Sequence, residues 1–160
     1  MEGKEKVIRI MFVCHGNICR STMAEFLMKD LVREKGLEER FVIKSSGVSS
    51  EEHGNPVHRG TRAVLEKRGI SCAGKYAETL KSSDYENYDY FIGMDAYNLS
   101  GMRRILGGDP DGKISLLLDY TDCPRDVADP YWTGDFSETE SDIECGVNAF
   151  FAFLIAKKII

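Results

Sequence analysis

The residue types best suited to chemistry lie in one short stretch, residues 13–22 (VCHGNICRST). It follows an apolar run at 7–13 and precedes a helix-like run at 23–35. A thiol, a glycine, an arginine and two hydroxyls therefore meet where a buried strand ends and a helix begins. A loop at such a junction directs backbone N–H groups toward one centre, and the helix N-terminus adds partial positive charge. The stretch predicts an anion site that carries its own nucleophile.

The spacing inside this stretch favours phosphate. Cys14 and Arg20 bracket five residues, a length that lets a loop curl around one tetrahedral anion. Backbone N–H groups would form a concave nest, and the Arg20 guanidinium matches two phosphate oxygens. The positive surroundings favour the thiolate of Cys14 for in-line attack, with Ser21 donating a hydrogen bond to the sulfur. Gly16 permits close backbone approach, and Asn17 tolerates unusual backbone angles.

Strands and helices alternate along the chain. Besides 7–13, apolar or β-rich runs predict strands at 41–44, 88–93 and 114–118. Helical patterns are found at 21–35, 56–68 and 97–106, and after a capping-box pattern at 137–140. This alternation predicts an α/β fold of three layers, a four-stranded parallel sheet flanked by helices on both faces. Ligands bind at the carboxyl ends of such strands, which places the Cys14 loop beside the loops at 45–55 and 119–134.

Composition and charge narrow the class of protein. The length suits a single domain spanning residues 1–160, and a net charge of −5 offers no basic field for nucleic acid or an anionic membrane. Residues 1–6 are charged and Arg9 interrupts 7–13, so we expect no signal peptide. The longest apolar run, 149–156, is too short to span a bilayer.

The cysteines and histidines indicate a reducing compartment without a metal site. Five scattered cysteines do not form a secreted disulfide framework, so we expect a cytoplasmic protein. The three histidines and five cysteines show no metal-ligand spacing, and neither a metal nor another cofactor is expected. His53 and His58 are not expected to be catalytic.

The run CHGNICRS at 14–21 resembles the signature loop of the low-molecular-weight protein tyrosine phosphatases. Further segments follow in the order of that family, at 45–47, 54–56, 69–70, 88–90, 94–95 and 129–131. The resemblance covers nearly the whole chain, and the loop together with the late Asp-Pro is its most specific part. It implies hydrolysis of phosphotyrosine in proteins, and of small aryl phosphates, through a phosphocysteine. The implied partners are phosphotyrosine-containing proteins; nucleic acid and a membrane span are not expected, on the charge and apolar runs described above.

The resemblance also assigns roles to residues. It makes Cys14 the nucleophile, Arg20 the phosphate ligand and Asp129 the general acid and base. One carboxyl group can serve both steps, because the leaving phenolate needs a proton and the attacking water then needs a base. Pro130 fixes the backbone after Asp129. An Asp-Pro pair alone is a common turn, so the family resemblance carries this assignment.

Other residues are implied to support the loop or bind the substrate. Support of the loop by hydrogen bonds is implied for Asn17, Ser21 and Ser45. Contact with phosphate or substrate is implied for His15, Gly16, Asn17, Ile18, Cys19, Ser21, Glu51, Tyr131 and Trp132. The rings of Tyr131 and Trp132 either wall a phosphotyrosine pocket or anchor the long loop. His15 either contacts substrate at the lip of the pocket or is simply solvated.

Cys19 has two interpretations of equal weight. It is either a packed thiol or, as the resemblance suggests, the partner of Cys14 in a reversible disulfide. Such a disulfide would shield the nucleophile from irreversible oxidation.

Several positions depart from the family pattern. Thr22 stands where Pro is usual, Lys75 where a His commonly braces the loop asparagine, and His58 where Asp is common. We therefore expect a rearranged network around the loop. Residues 132–134 include one residue more than is usual in the family after the Asp-Pro-Tyr segment. The loop that carries Asp129 is therefore expected to differ in shape from that of the family.

Three alternative functions remain at this point. Arsenate reductases share the fold but relay electrons through further cysteines, and here Cys72 stands alone while 80–90 contains none. Phosphoarginine phosphatases resemble this loop but carry Thr where Ile18 stands, and an aliphatic side chain suits an aryl phosphate better. A non-catalytic phosphate-binding module is disfavoured by the intact nucleophile, arginine and acid.

Overall fold

Four parallel strands form the centre of the computed structural model, which describes residues 6–160. They are β1 (Ile8–Cys14), β2 (Phe41–Gly47), β3 (Tyr90–Gly93) and β4 (Ile114–Leu116), in the order β2-β1-β3-β4. β1 is buried apart from Arg9, as a central strand covered on both faces requires. The predicted four-stranded parallel sheet is confirmed. The expectation of no signal peptide rests partly on residues 1–5, which lie outside the described residues.

Helices cover both faces of this sheet, as predicted. In the described range they are α1 (Arg20–Glu34), α2 (Arg59–Lys67), α3 (Ala96–Leu106), α4 (Pro130–Thr133) and α5 (Phe136–Ala156). On one face, Phe12 of β1 shares a buried core with Met23 of α1 and Phe150 of α5. On the other face, Phe91 of β3 packs with Met102 of α3. None of the helices between residues 6 and 160 has the length and apolarity of a membrane-spanning segment.

The start of α2 differs from the prediction. The helix begins at Arg59 rather than at Pro56, because Pro56 forms an isolated antiparallel bridge with Tyr76. His58 caps α2 instead, since its Nδ1 accepts a hydrogen bond from the Gly60 N–H at 3.0 Å.

The start of α5 was also predicted wrongly. Asp135 caps the helix by accepting from the Glu138 N–H at 2.9 Å, so the predicted capping box beginning at Ser137 is not used. The cause is a tertiary contact: the Phe136 ring stacks on His58 at 5.2 Å between centroids, which draws the first turn toward α2. β2 is longer than predicted and reaches Gly47, and the predicted loop at 119–134 contains α4.

Close packing of α5 generates a prediction at Gly146. A Cβ there would lie 2.4 Å from Leu117 Cγ, in the 3₁₀ turn after β4. We expect Gly146→Ala to lower the free energy of unfolding by about 1–3 kcal/mol because Leu117 must move. Asn148→Ala, at an exposed position of the same helix, should raise it slightly through helix propensity. Urea unfolding measures both, and a stabilising Gly146→Ala would contradict the close contact.

Candidate active site

The loop between β1 and α1 is held from outside by its carbonyl groups. These accept backbone hydrogen bonds as follows: Cys14 from Val48 N–H (3.0 Å), His15 from Ser49 N–H (2.9 Å) and Ile18 from His58 N–H (2.9 Å). In a trans peptide the C=O and the next N–H point in opposite directions, so the N–H groups after these carbonyls face the inner side of the loop. Such N–H groups and the N-terminus of α1 carry the partial positive charge that favours an anion.

Gly47 allows β2 to approach this loop closely. A Cβ at this position would lie 2.6 Å from the His15 carbonyl oxygen and 3.0 Å from the Gly16 carbonyl carbon. Because these are backbone atoms with little freedom to move, a side chain at 47 would displace the loop itself.

Hydrogen bonds join Cys14 to the helix and to the neighbouring strand. Cys14 ends β1 and is buried, with its Sγ 3.0 Å from Ser21 Oγ. Asn17, buried at a φ of 62°, donates from Nδ2 to Ser21 Oγ at 2.8 Å and to Ser45 Oγ at 2.9 Å. Its Oδ1 accepts from the Glu78 N–H at 2.9 Å. Asn is among the few side chains that tolerate this left-handed backbone, and here it fixes the shape of the loop.

Arg20 is almost completely buried, with 2% of its surface exposed. Its Nη1 donates to Asp95 Oδ2 at 2.7 Å and to the Val127 carbonyl at 2.8 Å, and its Nη2 donates to Asp129 Oδ2 at 3.4 Å. Burial alone would lower the pKa of Arg20, but the charge of Cys14, the hydrogen bond that Arg20 donates to Asp95 and the charge of Asp129 together raise it. The guanidinium therefore stays charged beside Cys14.

The predicted acid and aromatic residues lie at the same edge of the sheet. Asp129 caps α4, accepting from the Tyr131 N–H at 3.0 Å, and keeps contact with Arg20. The Tyr131 and Trp132 side chains are 69% and 80% exposed, and their rings meet edge to face at 4.9 Å. Such exposure argues against their being a hydrophobic anchor for the loop. His15 is exposed.

A buried ion pair lies beneath the loop, where the sequence predicted a rearrangement. Lys75 Nζ donates to the Ser45 carbonyl at 2.9 Å and lies 3.6 Å from Glu25 Oε1. Glu25, with 3% of its side chain exposed, also accepts from Ser45 Oγ and from Lys29 Nζ. Lys75 thus supports β2, whereas the Glu78 N–H supports Asn17.

Cys19 lies immediately before α1 and is buried. Burial, with the charge of Cys14 and that of Asp129, raises the pKa of Cys19 to about 12. Its carbonyl accepts from the hydroxyls of Thr22, at 2.9 Å, and Thr61, at 3.1 Å. Thr22 therefore contributes a hydrogen bond in the first turn, where Pro would only preset the helix.

The side chains of the remaining histidines bond to groups other than Cys14. His53 Nδ1 lies 3.2 Å from Thr79 Oγ1, and His58 caps α2. Across residues 6–160, no three His, Cys, Asp or Glu side chains are grouped as a metal ion would require.

Sequence reasoning assigned no role to Asp95, Glu25 or Gly47. A signal existed for Asp95, because it follows β3 at the carboxyl edge and precedes Asn98 by three residues in a capping pattern. Glu25 had no such signal, since one acidic residue in an amphipathic helix is expected to face water.

Comparison with known proteins places the chain among phosphatases. The model of the family described as low molecular weight phosphotyrosine protein phosphatase matches residues 9–159. The chain is 40% identical over 154 residues to the low molecular weight protein-tyrosine-phosphatase YfkJ of Bacillus subtilis, covering 95% of this chain and 99% of that protein. It is 39% identical over 132 residues to the low molecular weight phosphotyrosine protein phosphatase of Schizosaccharomyces pombe, covering 81% and 84% of the two chains.

Solved structures agree with this comparison. The crystal structure of YfkJ from Bacillus subtilis superimposes with a TM-score of 0.93 at 39% identity, covering 98% of this chain and 99% of the other. That of the low molecular weight protein tyrosine phosphatase SP-PTP from Streptococcus pyogenes gives a TM-score of 0.81 at 35% identity, covering 92% and 93%.

The buried pair generates a prediction about stability. We expect Glu25→Gln to lower the free energy of unfolding by about 3 kcal/mol, because it removes the buried carboxylate next to the Lys75 ammonium. The carboxylate that remains, Glu78 at 3.8 Å, is largely exposed and replaces it only in part. Glu25→Gln combined with Lys75→Met should recover part of this loss, since both charges are then removed.

The matched control is Glu140→Gln, which breaks the more exposed contact between Arg68 Nε and Glu140 Oε2 at 2.6 Å. It should cost less than about 1 kcal/mol in the same urea unfolding experiment. Equal losses at Glu25 and Glu140 would show that burial of the pair has no energetic consequence.

Proposed function

Because the chain belongs to the low molecular weight phosphotyrosine protein phosphatase family, it is a protein-tyrosine phosphatase, and we propose that Cys14, Arg20 and Asp129 carry out its reaction. One observation carries this assignment. The Arg20 guanidinium, at the end of the loop that begins with Cys14, contacts the Asp129 carboxylate. Arg20 and Asp129 are separated by 109 positions in the sequence. A nucleophile, a phosphate ligand and an acid therefore share one small volume.

In the first step the Cys14 thiolate attacks phosphorus in line with the tyrosyl oxygen. The S–P bond forms as the P–O bond breaks, and the phenolate takes a proton from the Asp129 carboxylic acid. Inward N–H groups of the loop and the Arg20 guanidinium bind the equatorial oxygens, where negative charge is concentrated.

In the second step water attacks the phosphocysteine. The Asp129 carboxylate takes a proton from this water, the S–P bond breaks, and inorganic phosphate leaves. Ser21 Oγ, 3.0 Å from Cys14 Sγ, is placed to donate a hydrogen bond to the departing thiolate. Asn17 and Ser45 keep Ser21 in this position.

The substrates are phosphoproteins, and we propose phosphotyrosine as the group hydrolysed. Gly16, Ile18 and Cys19 complete the loop around the phosphate, while His15 and the rings of Tyr131 and Trp132 border its mouth. A thiolate nucleophile needs reducing surroundings, which favours action in the cytoplasm.

The acid role predicts a leaving-group effect. Asp129→Asn should lower kcat for phenyl phosphate by about 10²–10⁴-fold, because phenolate is a poor leaving group without a proton. The loss should be smaller for p-nitrophenyl phosphate, whose leaving group needs protonation less. Steady-state kinetics with EDTA present measures both substrates.

Two variants control this experiment. Asp126→Asn makes the same change at an exposed position of the same loop and should leave kcat unaltered. Cys14→Ser should abolish turnover, and activity that survives it would overturn the proposed mechanism.

We also propose that Cys19 protects Cys14 from oxidation. Peroxide converts Cys14 to a sulfenic acid with release of water; attack by the Cys19 sulfur then forms the disulfide and releases a second water. Because its pKa is about 12, Cys19 is a thiol at neutral pH, so Cys14 is the residue oxidised first.

This protection is testable with peroxide followed by dithiothreitol. Activity should return in the wild type but be lost permanently in Cys19→Ser, with Cys72→Ser as the buried-cysteine control. Disulfide closure should accelerate between pH 7 and 9, because the thiolate fraction of Cys19 rises about tenfold per pH unit below its pKa. Full recovery in Cys19→Ser would contradict the proposal.

A further inference from the structure

Tyr97 is the most exposed of the large apolar side chains that the structure describes, with 86% of its surface accessible. It lies in the first turn of α3 and belongs to neither buried core cluster of the described residues. A ring this exposed adds little to the stability of the fold, so it is free to contact a partner outside the fold.

The position of Tyr97 mirrors that of Tyr131. Asp95 caps α3 and Asp129 caps α4, and both carboxylates contact the Arg20 guanidinium. Each tyrosine follows its capping aspartate by two residues. Since consecutive Cα atoms are about 3.8 Å apart, each tyrosine Cα lies within about 7.6 Å of that aspartate's Cα. Tyr97 and Tyr131 therefore lie on two different helices, each close to a carboxylate that contacts Arg20.

The helix that carries Tyr97 is fixed against the active-site loop. Gly101, one turn later on the same helix face, packs so closely that a Cβ would lie 2.8 Å from Val48 Cγ1. The Val48 N–H in turn donates to the Cys14 carbonyl at 3.0 Å. Tyr97 is thus an exposed ring on a rigid element at a set position relative to the nucleophile.

We propose that Tyr97 determines specificity by contacting an aromatic or large aliphatic side chain next to the phosphotyrosine of a protein substrate. The inference rests on the proposed function. A tyrosine ring on a rigid helix gives a large contact area at low entropic cost. Tyr131 and Trp132 lie on a second helix, whose capping carboxylate also contacts Arg20. A polypeptide substrate therefore meets exposed aromatic side chains on both helices, whereas a small aryl phosphate is engaged by the loop alone.

The test compares two sets of phosphotyrosine peptides. In one set a single Leu or Phe occupies each of the three positions before and after the phosphotyrosine in turn, and in the other set Ser replaces it. The measured quantity is the ratio of kcat/KM for an apolar peptide to that for its Ser counterpart. Because both values come from the same enzyme preparation, the ratio is independent of the folded fraction.

We expect Tyr97→Ser to lower this ratio by about three- to tenfold at one or more positions, mainly through KM. Tyr97→Phe should retain the wild-type ratio, because the ring rather than the hydroxyl makes the contact. Tyr76→Ser is the control, because it removes another exposed tyrosine, which lines a groove beside α2. It should leave the ratio unchanged.

The outcomes separate this inference from the proposed function. If peptide hydrolysis persists in Cys14→Ser, the proposed function fails. If hydrolysis requires Cys14 but the ratio is the same in wild type and Tyr97→Ser at every position, only the role of Tyr97 is overturned. A fall of equal size in Tyr76→Ser would also overturn it.

Discussion

The buried guanidinium of Arg20 is the constraint on which the rest of the site depends. A charge with 2% exposure has lost nearly all contact with water, and this loss is costly unless opposite charges and hydrogen bonds replace it. Asp95, the Val127 carbonyl and Asp129 provide the replacement from two separate segments. The end of β3 and the segment before α4 are therefore held at one point, since moving either would leave a buried charge unpaired.

The two carboxylates bound to Arg20 are not equivalent. Asp95 lies 2.7 Å from Nη1 with 15% of its side chain exposed, whereas Asp129 lies 3.4 Å from Nη2 with 24% exposed. A phosphate dianion competes with both carboxylates for the guanidinium. The contact of Asp129 is the longer and more exposed of the two, so it breaks more easily. In the proposed reaction this leaves Asp95 to orient Arg20 while Asp129 turns toward the leaving group. The difference in distance and exposure supports the proposed division between a positioning carboxylate and a reacting one.

The loop was predictable from the sequence because its chemistry is local. Residues 14–21 carry the thiol, the arginine and the hydroxyl in one run, and the apolar strand before it is easy to recognise. Asp129 was not predictable from spacing, because Asp-Pro is a common turn and its partner Arg20 is distant in sequence. Only the family resemblance supplied it. The start of α5 was predicted wrongly for a similar reason. Asp135 and Ser137 are both good capping residues, and a long-range contact of Phe136 decided between them.

Lys75 and Glu25 show why the contacts beneath the loop could not be predicted from the sequence. Each is of a residue type normally solvated, yet folding brings them together next to Ser45 with only 8% and 3% of their side chains exposed. A lysine ammonium reaches a backbone carbonyl and a carboxylate at once, so it supports β2 without occupying Asn17. The Oδ1 of Asn17 is left to the Glu78 N–H. The shape of the loop therefore depends on where hydrogen bonds are donated, and here a backbone N–H donates the one that Asn17 Oδ1 accepts.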